Sequence, residues 1–198
     1  VNGFSDHRLW IAVEPAIPIV DRLLLLQEEL EEPLHHLGIP VRWSPGEALR
    51  LYLHSAPCGD VSREALVRDA VSAIARSVAP FEWTTEGTEF EPSLEVPRTV
   101  STGTSHGATE LQRLAQRLEA AFQSVGFRPD PRPFAANIHI GRVRSSVSAP
   151  DVRGVIDAYR ATVYGTTFCR ELVLLSSSVH GTEVRWVTRA RVELGTGR

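Results

Sequence analysis

With 198 residues, of which 42% are apolar and 23% charged, the chain is long enough to bury a core as one large domain or two fused lobes. Its net charge of −3 excludes a general attraction to nucleic acid or anionic membrane, so any polyanion contact has to be local. No apolar run reaches the length that crosses a membrane and the N-terminus carries no signal-peptide pattern, which predicts a cytoplasmic protein.

The apolar run 8–13, closed by Glu14 and Pro15, predicts a buried strand. A helix follows from Ile17 or Pro18. Val20, Leu23, Leu24, Leu26, Leu30 and Leu34 recur at three- and four-residue spacing, and Glu28, Glu29, Glu31 and Glu32 form its solvated face. Pro33 and the turn Gly38–Pro40 are expected to close this helix, with His35 and His36 at its frayed end. No third ligand is spaced to join these two histidines around a metal. A short strand is predicted over 41–43. Residues 49–54 then alternate strictly, with Leu49, Leu51 and Leu53 on one face and Arg50, Tyr52 and His54 on the other. Asp60 or Ser62 starts a helix that runs to about Val78 on the stripe Leu66, Val67, Ala70, Val71, Ile74 and Val78.

From Pro80 to Gly103 the pattern is extended: a strand at 81–84, a turn, a strand at 88–90 and another at 98–102. Leu111, Leu114, Ala115, Leu118, Phe122 and Val125 mark a strong helix stopped by Gly126. A proline-rich loop fills 127–133, a shorter helix 151–160, and a closing strand pair 168–176 and 183–194, turned at His180-Gly181. Ser176–Ser178 beside His180 reads as a turn before the last strand rather than a nucleophile site. Cys58 and Cys169 lie far apart without metal or redox spacing, so two buried or half-buried thiols are expected rather than a disulfide. The sequence has no methionine, so Val1 reads as other than the translated start. Residues 1–7 and 195–198 read as tails around one bilobal domain spanning 8–194.

Between 132 and 144 the chain reads Arg-Pro-Phe-Ala-Ala-Asn-Ile-His-Ile-Gly-Arg-Val-Arg. In an extended strand Asn137, His139 and Gly141 would point one way, and Ile138, Ile140 and Val143 largely the other. A polar row over an aliphatic row suggests a strand that lines a groove. A polar-faced strand followed by a helix occurs twice, at 49–54 then 62–78 and at 136–142 then 151–160. The repeat predicts an α+β fold of two pseudo-symmetric lobes, each an antiparallel-rich sheet flanked by helices, around a central groove.

At these residues the chain resembles the two-histidine (2H) phosphoesterase superfamily, and within it the bacterial RNA 2′,3′-cyclic phosphodiesterases historically called 2′-5′ RNA ligases. The resemblance covers nearly the full length. Arg8-Leu-Trp-Ile-Ala-Val13 looks like that family's opening strand, 42–53 like its first motif region and 132–144 like its second. The resemblance implies that each lobe donates one His-x-Thr motif to the groove, with the histidines as acid and base around a cyclic phosphate and the threonine hydroxyls on its oxygens. All four signature positions differ here. Arg50 and Tyr52 stand at the first motif, Asn137 and His139 at the second. Arg50 cannot deprotonate at a useful pH and Asn137 has no titratable proton. Losing one positioned acid or base costs about 10²–10⁴-fold, so the inherited mechanism is expected to be gone.

The replacements keep ligand chemistry. Arg50 is a fixed cation with a fork suited to phosphate, Tyr52 adds a hydroxyl and Asn137 amide donors. His54 and His139 share the groove parity, and imidazole is the side-chain type that serves as either cation or neutral donor near neutral pH. With Arg142 and Arg144 these residues would form a local cationic site on an acidic chain. The expected ligand set is thus Arg50, Tyr52, His54, Asn137, His139 and Arg142, for a nucleotide, a cyclic nucleotide or an RNA end, without metal or cofactor. The competing structural reading pairs Arg50 with a carboxylate and bonds Asn137 to backbone in a filled cleft. Three functional classes follow: a non-catalytic binding module; a diverged phosphodiesterase working through His139 with His54 or Tyr52; and a structural or protein-interaction role with a vestigial cleft. His139 stands at a phosphate-binding rather than an acid/base position, which weighs against the second class.

Overall fold

The computed structural model describes residues 8–58, 61–129, 133–144, 152–180 and 183–195. In chain order the elements are β1 (Arg8–Val13), α1 (Ile17–His36), β2 (Val41–Trp43), β3 (Leu51–Pro57), α2 (Val61–Arg76), β4 (Phe81–Glu91), β5 (Thr99–Thr104) and α3 (Ala108–Ser124). They continue as β6 (Ile138–Val143), α4 (Arg153–Ile156), β7 (Val163–Cys169), β8 (Glu171–His180) and β9 (Glu183–Glu193). The strands form two antiparallel sheets, one of four in the order β3-β1-β8-β9 and one of five in the order β2-β6-β5-β4-β7. This is the predicted α+β architecture of two sheets with flanking helices. The two sheets approach each other where β3 meets β6.

Helices cover one face of each sheet. α2 and α3 pack on the four-stranded sheet and α1 on the five-stranded one, with α4 against α1. The amphipathic stripes account for this: Leu23, Leu26, Leu30 and Leu34 of α1 and Leu111, Leu114 and Leu118 of α3 are buried in one continuous apolar cluster with Leu9, Ile11, Trp83, Val100, Ile138 and Ile140. The opposite face of the four-stranded sheet is packed separately from this cluster. On the four-stranded sheet that face carries its own small cluster of Ala12, Val173 and Leu175, with Trp10, Tyr52 and Trp186 packed against it.

Several elements depart from expectation. Pro33 does not end α1, which continues to His36 before Gly38 adopts φ 72°. Leu34 stays fully in the core, so the last turn is kept by burial although the proline gives up its own hydrogen bond. The turn expected after Thr84 is absent. β4 is one strand of 11 residues, kinked at Gly87 (φ 76°), whose positive φ lets the chain bulge instead of reversing. β7 has no counterpart among the predicted elements; it takes Phe168 from the expected closing pair and edges the five-stranded sheet. The short helix is a single turn followed by a 3₁₀ turn at Asp157–Tyr159. Cys58 and Cys169 are both buried and are not joined in a disulfide. Among the described residues no helix is long and apolar enough to cross a membrane. Asp60, Arg132 and Gly181 lie outside the described residues.

Candidate functional site

The first motif region enters from β2 through Ser44, whose N–H donates to the Ile140 carbonyl at 2.9 Å and whose hydroxyl donates to the His139 carbonyl at 3.1 Å. A buried Gln27 on α1 ties the same two segments, donating to Ser44 O and Ile140 O at 2.9 and 2.8 Å. After a 3₁₀ turn (Gly46–Ala48) the chain reaches Arg50, just before β3. The two motif regions are therefore held to one another by backbone at the seam between the sheets.

Arg50 does not stand free. Its Nε donates to Glu14 Oε1 at 2.8 Å, and Glu14 Oε2 lies 2.8 Å from Arg191 Nη1, which also pairs with Glu171. The competing expectation of a carboxylate partner for Arg50 holds, with Glu14, the residue right after β1, as that partner. Arg50 Nη1 is buried and has no acceptor among the described residues. Burial works to raise the Glu14 carboxyl, but hydrogen bonds from Arg50 and Arg191 outweigh it and hold the group below its ordinary value.

Tyr52 faces the helix-free side. Its ring lies 5.5 Å from Trp10 and 5.4 Å from Trp186, and those two indoles are 5.8 Å apart, so the three make one half-buried aromatic cluster. Arg8 lies over the Trp10 ring at 5.9 Å. Burial pushes the Tyr52 phenol up to about 12, far from the range of a neutral-pH acid or base.

His54 is a correction. It does not share the face of Tyr52. The register between β1 and β3 slips by one residue, with Tyr52 opposite Ala12 but His54 opposite Ile11, so Leu53 bulges and the alternation inverts. His54 turns to α3, its Nδ1 3.2 Å from a Glu119 carboxylate oxygen and its ring 4.8 Å from Phe122. It is a core-edge histidine.

A second bulge shapes β6. His139 pairs with Ser101 while Gly141 pairs with Val100, which leaves Ile140 as the extra residue. Gly141 consequently joins the aliphatic side, where a Cβ would sit 2.6 Å from Val41 Cγ1 and 2.7 Å from Trp43 Cε3. Arg142, opposite Arg42 and Thr99, comes round to the face of His139. The expected row of Asn137, His139 and Gly141 is in fact Asn137, His139 and Arg142. Asn137 Nδ2 donates to Glu91 Oε1, and His139 Nε2 lies 3.5 Å from Glu91 Oε2. The bond to backbone expected of the Asn137 side chain is thus a bond to a carboxylate. The His139 imidazole, aided by the Asn137 amide, holds the Glu91 carboxyl below its ordinary value against the effect of burial.

Each replaced motif thus meets an internal carboxylate, Glu14 through Arg50 at the first and Glu91 through Asn137 and His139 at the second. Sequence reasoning singles out neither of them, nor Trp10 and Trp186. The signals available are faint: Glu14 and Glu91 are the residues at which apolar strands stop before a proline, and Trp10 shares parity with Ala12. The arrangement offers cations, an aromatic surface and amide donors. Among the described residues no group of three His, Cys, Asp or Glu is placed to hold a metal, and the rings of His35 and His36 meet edge-on, 6.4 Å apart, at the end of α1.

No profile of a known protein family matches the chain. It is 24% identical over 121 residues to the RNA 2′,3′-cyclic phosphodiesterase of Aeropyrum pernix, a match covering 61% of this chain and 68% of that one. In three dimensions it resembles TT0787 of Thermus thermophilus with a TM-score of 0.77 at 19% identity, over 94% of this chain and 97% of that one. It also resembles E. coli LigT in complex with 3′-AMP, with a TM-score of 0.73 at 19% identity, over 95% and 98% of the two chains. LigT has likewise been crystallised with ATP and with NADP+.

Proposed function

From a chain that has the two-sheet fold of the LigT-like 2H phosphoesterases, we propose a nucleotide-binding protein that no longer performs the cyclic phosphodiester reaction. The carrying observation is the Trp10–Tyr52–Trp186 cluster on the face of the four-stranded sheet away from its helices, with Tyr52 two positions along the chain from Arg50. Where the resemblance implies a small threonine hydroxyl for phosphate, Tyr52 completes an aromatic surface against which a nucleobase can stack, a contact worth about 1–3 kcal/mol per base. Arg50 is the nearest cation for the phosphate. Asn137, His139 and Arg142 line the other side of the groove as further donors. The nucleotide complexes of LigT support a nucleotide as the ligand class.

The same observations argue against turnover. Arg50 does not deprotonate at a useful pH, the Asn137 amide does not titrate, burial pushes the Tyr52 phenol up to about 12, and His54 faces α3. The diverged-enzyme reading keeps His139 alone, paired with Glu91. The test is a titration of the full chain with 3′-AMP, ATP and adenosine 2′,3′-cyclic phosphate, following tryptophan fluorescence and, in parallel, hydrolysis of the cyclic ester. Saturable quenching without hydrolysis is expected, with the quench largely lost in Trp10→Ala. Absence of binding to all three ligands would favour a vestigial cleft. Hydrolysis abolished by His139→Ala in a folded variant would favour the diverged enzyme.

A further inference from the structure

The carboxylate of Glu14 occupies an unusual place. Its two oxygens each take a guanidinium, Arg50 Nε at 2.8 Å and Arg191 Nη1 at 2.8 Å, as two oxygens of a bound phosphate would. The side chain of Arg50 is only 13% exposed, yet its Nη1 is buried without an acceptor among the described residues. A guanidinium donor left unsatisfied in such a position is costly, and a carboxylate has too few oxygens to reach it while also serving Nε and Arg191.

We infer that Glu14 is an internal competitor for the ligand's phosphate, and that the site therefore selects a terminal phosphomonoester over a cyclic phosphodiester. This rests on the nucleotide reading of the groove. To enter between Arg50 and Arg191 a phosphate has to displace a monoanionic carboxylate. A 2′,3′-cyclic phosphate brings one negative charge and two free oxygens, so it only replaces what Glu14 already supplies. A terminal monoester brings close to two charges and three free oxygens, enough to hold both guanidiniums and to reach Arg50 Nη1. The selectivity is thus set against the kind of ligand whose cyclic ester the lost histidines would have opened. Glu171 pairs with Arg191 from outside this triad and keeps that guanidinium oriented.

The experiment measures binding of 3′-AMP, adenosine 2′,3′-cyclic phosphate and adenosine to the wild-type chain and to Glu14→Gln, by calorimetry. The wild type is expected to prefer 3′-AMP to the cyclic ester. Glu14→Gln removes the competing charge and keeps a side chain of the same size, so both phosphates should bind about tenfold more tightly while adenosine is unmoved. Should Glu14→Gln not fold, Glu14→Asp, with a shorter arm and the charge retained, should show a smaller gain of the same sign. Wild-type binding with no gain in either variant would overturn the inference and leave the nucleotide reading standing. Equal wild-type affinity for the two phosphates would overturn the claimed selectivity. Failure of every form to bind any of the three would overturn both.

Discussion

Glu14 shows how one side chain can stabilise the fold and oppose the ligand. Two guanidinium hydrogen bonds keep its carboxyl below the ordinary 4.5 in spite of burial. A carboxyl depressed in the folded state contributes stability that is fully present above its unfolded value and is lost as pH falls through the folded one. Glu14→Gln should therefore cost about 2 kcal/mol at neutral pH, the scale of hydrogen bonds to a charged group. The gap from wild type should close below pH 4.5. Urea unfolding at pH 7 and pH 3 checks this, and an equal gap at both would show that the ion pair is not its source. His54 makes the opposite case. With its side chain 8% exposed between Glu119 and Phe122, His54→Ala should lower stability by about 1–3 kcal/mol and leave 3′-AMP affinity unchanged in the fluorescence titration. From sequence alone, a carboxylate for Arg50 can be named as a kind of partner. Which carboxylate cannot, because Glu14 is 36 residues away and the contact depends on β1 and β3 lying side by side.

Bulges decide which side chains reach the groove. Strict alternation read from sequence assumes an unbroken period of two, and a bulge inserts one residue and reverses every side chain beyond it. The alternation is correct up to Tyr52 and wrong for His54 because Leu53 is inserted. It is correct for His139 and wrong for Gly141 because Ile140 is inserted. Long helices are the legible part: α1, α2 and α3 follow apolar stripes that need no partner to be seen. β7 is not legible, since its Gly165 and adjoining threonines give little apolar alternation and its burial comes from pairing with β4. The β4 kink can be tested directly. A Cβ on Gly87 would meet the Arg160 carbonyl oxygen at 2.7 Å, and the residue holds φ 76°. Gly87→Ala should cost about 1–3 kcal/mol, read as a lowered thermal midpoint. An unchanged midpoint would mean that β4 relaxes without its bulge.

At the scale of the whole chain, the two sheets cannot be separated. The path runs from β1 in the four-stranded sheet to β2 in the five-stranded one, back to β3, out again for β4 to β7, and returns for β8 and β9. Neither sheet is a contiguous stretch of sequence, and one apolar cluster joins helices and strands of both. Two lobes in shape should therefore unfold as one cooperative unit. The tryptophans report on this without added labels. Trp10 and Trp186 lie on the four-stranded sheet, and Trp43 and Trp83 on the five-stranded sheet. Replacing either pair by phenylalanine leaves the other as the probe, and urea transitions followed through the two pairs should share one midpoint once corrected for each variant's own circular-dichroism midpoint. Two midpoints, one for each sheet, would mean that the lobes fold separately. The groove would then be free to open and close as a hinge, because the ion pairs of Glu14 and of Glu91 each join residues of a single sheet. A shared midpoint means that both sheets belong to one cooperative core, so that a ligand's work is the exchange of carboxylate for phosphate rather than the docking of two independently folded domains.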